Sequence, residues 1–164
     1  MAELQRLRAD HAPAVLAFEL ANRVYFDNFI SDRGEEFFDH FDETFDELLA
    51  EQATGTCVFH ALINEDGAVL GLFNLRDLEG DTAVLGYRVA QDVAGRGVAT
   101  ATVQELCQIA AQRYGLRTLR AATNIGNVAS QKVLTKAGFA PRDPADPAVI
   151  GGRPGTWYQR ELTV

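Results

Sequence analysis

Apolar residues in the first third of the chain recur at helical spacing, after a short strand predicted over Leu4–Leu7. Asp10 is predicted to cap the first helix, with Pro13 in its opening turn. The apolar positions of this helix are Val15, Phe18, Leu20, Ala21 and Val24. A second helix is predicted from a stripe at spacings of one, three and four, interpreted as core: Phe37, Phe38, Phe41, Phe45, Leu48 and Leu49.

From Cys57 the pattern changes to short β-type runs separated by the turn signals NEDG and LEGD. The runs are CVFHALI, AVLGLFNLR and TAVLGYRVA, and they predict an antiparallel meander. The last run leads into a glycine loop over residues 91–100 and then into a helical stripe that ends at Gly115.

The remainder of the chain alternates strand and helix. A strand is predicted over Leu116–Thr123, and a helix over Val128–Ala137 with Asn127 as N-cap. A short strand starts at Phe139, the segment PRDPADP is predicted as a loop, and Gly155–Val164 closes the chain as a strand. We therefore expect an α+β (α/β) fold with a mixed, mostly antiparallel central sheet flanked by helices, as a single domain over residues 1–164.

Composition favours a folded domain. Of 164 residues, 47% are hydrophobic and 23% charged, which is close to the globular average. No apolar run is long enough to cross a membrane and no signal peptide is evident, so we expect a cytoplasmic protein without a membrane partner. Cys57 and Cys107 lie in apolar contexts and are interpreted as core residues, and no metal site is expected.

The formal net charge of −8 is unevenly distributed, with −12 over residues 1–90 and +4 over residues 91–164. Ten carboxylates against one arginine lie between Asp27 and Glu51. Such a stretch repels nucleic acid and attracts cations, so we expect no nucleic-acid partner. Each carboxylate can equally be the solvated face of a helix.

The glycine loop carries the candidate chemistry. Gly95, Gly97 and Ala99 stand where a strand meets the start of a helix, so free backbone N–H groups and the positive end of the helix dipole are predicted to form an anion site. Arg96 and Thr100 can add donors to a pyrophosphate. A turn without a ligand remains the alternative. A dinucleotide fingerprint would need glycine where Thr100 stands, and a Walker A lysine is absent.

Two segments, LGYRVAQDVAGRGVATATVQEL and NVASQKVLTKAGF, resemble the GNAT superfamily of N-acetyltransferases, in particular its RimJ/RimL-like branch of ribosomal-protein N-terminal acetyltransferases. The resemblance spans nearly the whole chain. It implies acetyl-CoA as cosubstrate, with the pyrophosphate on the backbone of residues 95–100 and the pantetheine arm beside Val89. It also implies that Asn127 holds the pantetheine or phosphate arm.

The chain departs from the superfamily pattern at two positions. Ala94 replaces a side chain that contacts the cofactor, so Arg96 is expected to carry more of that role. Leu134 stands where many members place a tyrosine that protonates the thiolate. Ser130 is the nearest matched polar group for that role, although it can equally be a first-turn residue that bonds the backbone.

The acceptor must present a neutral amine, which an N-terminal amino group supplies more readily than a lysine. We expect a primary amine: a protein or peptide N-terminus, or a small cationic amine steered by the acidic stretch. His11, His40 and His60 are poor candidates for a base, and Asp77, Glu79 and Asp81 cannot be ranked. A non-catalytic acyl-CoA-binding module and an interaction domain are the alternatives, and a homodimer stays open.

Overall fold

The computed structural model describes residues 2–28, 30, 32–150, 152 and 154–162. The strands are β1 (Glu3–Arg6), β2 (Val58–Ile63), β3 (Val69–Glu79), β4 (Thr82–Val89), β5 (Thr118–Asn124), β6 (Ala140–Ala145) and β7 (Gly155–Glu161). The helices are α1 (Ala12–Ala21), α2 (Arg23–Asp27), α3 (Glu35–Asp39), α4 (Phe41–Ala53), α5 (Val98–Arg113) and α6 (Val128–Lys136).

The strands form one sheet in the order β1-β2-β3-β4-β5-β7-β6. The β4–β5 pair is parallel and the other pairs are antiparallel. α5 connects the two parallel strands, as a parallel pair requires a crossover. The predicted mixed, mostly antiparallel sheet is therefore confirmed.

Helices pack on both faces of the sheet, and each face has its own hydrophobic core. α5 and α6 pack on one face, where Val103, Leu106 and Leu134 meet Phe73 and Leu75 of β3. On the other face, residues of α1, α2 and α4 pack against β2 and the start of β3: Val15, Phe18, Phe26, Phe41 and Phe45. Successive strand residues point to opposite faces, so β3 contributes to both cores. Cys57 and Cys107 are buried, as predicted.

The start of the first helix differs from the prediction. α1 begins at Ala12 and its N-cap is His11, so Asp10 is not the cap. Instead, the Asp10 carboxylate accepts a hydrogen bond from the Arg8 side chain at 3.1 Å. The predicted apolar face is also wrong in part, because Leu20 is exposed and Val24 is 84% exposed.

The phenylalanine stripe occupies two helices rather than one. The backbone leaves helical angles at His40, with φ −119° and ψ 36°, between α3 and α4. The rings of Phe37 and Phe41 remain 5.5 Å apart across this break, so the apolar spacing does not reveal it. Phe41 and Phe45 are buried, as the stripe predicts.

The proline-rich segment predicted as a loop is mostly strand β6. Pro141 and Pro144 pair with Tyr158 and Thr156 of β7, and the register shifts between the two prolines. β6 lies at the edge of the sheet, where a residue without an N–H is tolerated. β7 ends at Glu161, and Thr163 and Val164, which the predicted last strand includes, lie outside the described residues.

Candidate active site

The site lies where the two parallel strands separate. β4 pairs with β5 only from Thr82 to Val84, opposite Thr118 to Arg120. Within the described residues, no pair joins the later parts of these strands, residues 85–89 and 121–124. The two strands therefore split at this point, and two cavities border the split.

The first cavity, the loop cavity, has a volume of about 290 Å³ and lies against the start of α5. Of the predicted cofactor-binding residues, six line it: Val89, Gly95, Gly97, Ala99, Thr100 and Asn127. Arg96 is exposed and does not belong to this lining.

The backbone of the loop suits a phosphate group. Gly95 and Gly97 adopt φ of 76° and 79°, a left-handed conformation that favours glycine. A Cβ built on either glycine meets no atom within 4 Å, so the side of the loop is open. The first intrahelical bond of α5 is donated by Ala101 to Gly97, which leaves the preceding amides of the first turn to point out of the helix. These amides and the helix dipole attract an anion.

Two lysines of α6, Lys132 and Lys136, also line the loop cavity. They are four residues apart and therefore share one face of the helix. The sequence carries this signal, because both residues stand in the second motif, yet sequence reasoning assigned them no role. Their ammonium groups can complement the negative charge of a phosphate, together with the backbone amides of the loop.

Asn127 caps α6. Its side-chain Oδ1 accepts a hydrogen bond from the Ser130 backbone N–H at 3.1 Å, as the predicted N-cap requires. This bond uses the oxygen of the side-chain amide. It also fixes the first turn of α6, which carries Ser130 into the split.

Sequence reasoning missed Tyr87, which lies on β4 beside the split. Its hydroxyl is 3.1 Å from the Ser130 Oγ, and both residues line both cavities. The Tyr87 ring stacks on Phe73 with centroids 5.7 Å apart and an interplanar angle of 11°. Burial raises the pKa of Tyr87, only partly offset by the bond to Ser130, so the phenol keeps its proton at neutral pH.

Tyr87 supplies a phenol close to the position where the superfamily tyrosine is missing. Leu134 is 1% exposed, belongs to the core under α6, and is one of the residues that line the second cavity. No sequence motif connects Tyr87 with Ser130, because the contact spans 43 residues and depends on how β4 and α6 pack.

The second cavity, the arginine cavity, has a volume of about 370 Å³ and borders the split between β4 and β5. Its lining includes two cross-strand pairs of β3 and β4, Leu72 with Arg88 and Asn74 with Gly86, and the Arg76 side chain further along β3. Ile30 and Arg33 form one wall, and Val149 and Ile150 form the other.

Glu19 anchors two of the arginines of this cavity. It is 1% exposed, and it pairs with Arg88 at 3.1 Å and with the Nε of Arg33. Arg88 also lies over the Phe26 ring, 5.0 Å from its centroid. Burial lowers the pKa of Arg88 to about 10, so it remains a cation at neutral pH.

Among the described residues, none of the side chains considered above as a general base lines either cavity. His60 is buried and bonded to Tyr114, and burial lowers its pKa to about 4. His11 caps α1 and is buried, and His40 is exposed. Among the described residues, no aspartate or glutamate lines either cavity, so neither Asp77, Glu79 and Asp81 nor the acidic stretch of residues 27–51 contributes a lining carboxylate.

Among the residues that the structure describes, no three histidine, cysteine or acidic side chains come together as a metal site. The helices of this described part are all too short or too polar to cross a bilayer.

Comparison with protein families gives one match, to the family described as the acetyltransferase (GNAT) domain, over residues 2–140. No curated protein matches the chain in sequence. Among solved structures, the ribosomal-protein-S5-alanine acetyltransferase from Vibrio fischeri is similar with a TM-score of 0.89 at 15% identity, over 98% of this chain and 93% of that one.

Two other solved structures are similar over 98% of this chain. RimJ of Mycobacterium smegmatis, in complex with CoA-disulfide, has a TM-score of 0.86 at 19% identity, over 81% of its own chain. The spermidine N-acetyltransferase of Vibrio cholerae, in complex with CoA and spermine, has a TM-score of 0.80 at 14% identity, over 95% of its own chain. At these identities the likeness concerns the fold.

Proposed function

This chain belongs to the GNAT acetyltransferase family, and we propose that this acetyl-CoA-dependent N-acetyltransferase acts on the amino terminus of a protein or peptide. The observation that carries the proposal is the junction of the two cavities. The loop cavity suits a phosphate-bearing donor, the arginine cavity is large enough for the first residues of a peptide, and both open onto Tyr87 and Ser130.

Acetyl-CoA, when bound, supplies the thioester carbonyl that the amine attacks and the thiolate that leaves. The residues suited to hold it are the backbone of residues 95–100 and the Lys132 and Lys136 side chains. Val89 and Asn127 border the same space and are suited to contact the pantetheine arm. The open side of Gly95 and Gly97 leaves room for close approach to the backbone.

We assign the proton step to two hydroxyl groups. Ser130 gives its proton to the departing sulfur, and Tyr87, 3.1 Å away, gives its own proton to Ser130. Because the pKa of Tyr87 is raised, its phenol is in the donating form at neutral pH. Water in the arginine cavity returns a proton to Tyr87 and takes the proton that the amine loses, so the reaction balances.

The described residues that line the two cavities include no carboxylate and no histidine, which favours an acceptor that needs little help to deprotonate. An α-amino group with a pKa near 8 is neutral in about a tenth of molecules at pH 7, whereas a lysine with a pKa near 10.4 is almost always charged. A small cationic amine, the other acceptor class that the sequence leaves open, would meet three arginines in the second cavity.

The test compares two peptides of one sequence that contain an internal lysine. One has a free amino terminus and the other a formylated amino terminus, and spermidine is a third acceptor. CoA release and the site of acetylation by mass spectrometry are measured. We expect acetylation of the free terminus alone. Acetylation of the lysine or of spermidine at an equal rate would overturn the proposal, and CoA binding without turnover of any amine would favour a non-catalytic binding module.

A further inference from the structure

Among the described residues, the charged side chains that line the arginine cavity are all positive. Its lining includes three guanidinium groups, those of Arg33, Arg76 and Arg88, and no aspartate or glutamate within the described residues. The carboxylates that pair with these arginines are Glu19 and Glu51, which stand outside the lining. Three arginines therefore share two carboxylates, which leaves the lining an excess of positive charge. Asp32, a further carboxylate near Arg88, is itself paired with Arg23.

Each guanidinium retains donors for a ligand. A guanidinium carries five N–H donors. Arg88 uses Nη1 and Arg33 uses Nε toward Glu19. Arg76 uses Nη1 toward Glu51 at 3.4 Å, and both of these side chains are almost half exposed, at 46% and 47%. An exposed pair of this kind contributes little to stability, so Arg76 is readily redirected to a better partner.

The arginines are placed along a path rather than at one point. On the sheet, Arg88 stands opposite Leu72 and is the next residue after Tyr87, whereas Arg76 lies four residues further along β3. At about 3.3 Å per strand residue, the two positions are about 13 Å apart, which is the length of about four extended peptide residues.

The floor between the two arginines is neutral and open. Asn74 and Gly86 form the cross-strand pair there, and a Cβ built on Gly86 meets no atom within 4 Å. A chain that starts at Tyr87 and runs over Gly86 toward Arg76 meets cations at both ends of this stretch. Carboxylates match guanidinium groups in charge and in planar geometry.

We propose that the acceptor carries a carboxylate within about four residues of its reacting amine, as in an acidic amino-terminal peptide, and that Arg88 and Arg76 bind it, with Arg33 as a further cation. This inference rests on the proposed function, because it places the amine at Tyr87 and Ser130. It differs from the charge expectation of the sequence, in which the acidic stretch attracts a cationic acceptor.

The test uses three peptides that differ only at their second to fourth residues, which are acidic, neutral amides or lysines. A free amino acid with a neutral side chain is a fourth acceptor, and because its only carboxylate is the α-carboxylate, it separates that group from an acidic side chain as the recognised group. Steady-state kinetics measure kcat/KM with saturating acetyl-CoA, and calorimetry measures binding of each peptide to the complex with CoA. We expect the acidic peptide to exceed the neutral one by about tenfold or more, and the lysine peptide to be poorest.

Variants assign the preference to the arginines. Arg76→Gln should reduce the acidic-to-neutral ratio by at least about threefold while the CoA dissociation constant stays the same. Arg88→Lys keeps the charge beside buried Glu19, but we expect a lower ratio because a lysine lacks the planar fork. Arg117→Gln removes an exposed arginine outside the cavity and is the matched control, with an unchanged ratio. Thermal unfolding of each variant checks that it is folded.

The outcomes separate this inference from the proposed function. Equal kcat/KM for the three peptides, a preference for lysines, or an acidic preference that survives in folded Arg76→Gln and Arg88→Lys would overturn the inference and leave N-terminal acetylation in place. Tight binding of the acidic peptide without turnover would support the arginine site and contradict the function. Turnover of the free neutral amino acid alone would support recognition of an α-carboxylate and contradict a peptide acceptor.

Discussion

The two cavities that border the β4–β5 split differ in the groups that are suited to bind a ligand: backbone amides in the first and arginine side chains in the second. The part of the loop cavity that suits a phosphate is made by backbone, from two left-handed glycines and the first turn of α5. The arginine cavity is made by side chains from strands and connections that are far apart in the chain. A backbone site depends on local conformation and can be read from a short motif, whereas a side-chain site depends on strand register and on which face each residue occupies.

The largest expected effect is on the backbone site. Gly97→Glu places a side chain and a negative charge where the phosphates are expected, so CoA affinity should fall at least about a hundredfold by calorimetry. Gly67→Glu is the matched control, because Gly67 also has a positive φ of 83° in open space but lines neither cavity. Unchanged CoA affinity in folded Gly97→Glu would remove the phosphate assignment of the loop.

The second effect concerns the point where the two cavities meet. Ser130→Ala should lower kcat about a hundredfold, since general acid catalysis typically contributes this much or more. The dissociation constant for CoA should stay the same, because the hydroxyl acts when negative charge develops on sulfur. The backbone N–H of residue 130 still bonds Asn127 in this variant, so the cap of α6 is preserved. A change confined to CoA binding would return Ser130 to a structural role.

Tyr87→Phe tests whether the two hydroxyls act as a unit. Phenylalanine retains the stack on Phe73 and removes only the O–H group. We expect kcat to fall about tenfold, less than for Ser130→Ala, because water can partly replace Tyr87 as proton source. The double variant with Ser130→Ala should be no slower than Ser130→Ala alone, since coupled residues are not additive. Fully additive losses would contradict the relay.

These residues show what the sequence could and could not provide. Three predicted features are local in sequence, and the structure contains each of them: strand β4, the loop of residues 95–100 and the N-cap at Asn127. Tyr87 and Arg88 are neighbours in the chain whose side chains point to opposite faces of the sheet, so their different partners, Ser130 for Tyr87 and Glu19 for Arg88, follow only from the helices that pack on each face. The edge position of β6 likewise explains a proline-rich strand that local turn chemistry predicts as a loop.

A smaller effect distinguishes the cations near the loop. Lys136 lines the loop cavity, whereas Arg96 is exposed outside it, although the sequence favours Arg96 as the phosphate contact. Lys136→Gln should weaken CoA binding about fivefold, as expected for the loss of about 1 kcal/mol from a solvated charge-assisted contact. Arg96→Gln should change it less than about twofold. Calorimetry at one ionic strength compares them, and a larger loss in Arg96→Gln would return the phosphate contact to that side chain.

The smallest effect concerns the acidic helices. α3 and α4 carry four carboxylates that do not line the arginine cavity: Asp39, Asp42, Asp46 and Glu47. Their replacement by Asn or Gln should change the acceptor KM less than about twofold at 0.1 M salt, because charges are screened beyond about 10 Å at that concentration. At 0.01 M salt, where the screening length is about 30 Å, the variant should bind an acidic acceptor more tightly, because a negative field that opposes its approach has been removed. Steady-state kinetics of the four-fold variant at both salt concentrations measure the sign. An increase of KM on charge removal would instead mean that the acidic helices attract a cationic acceptor, and it would place the recognition of charge outside the arginine cavity.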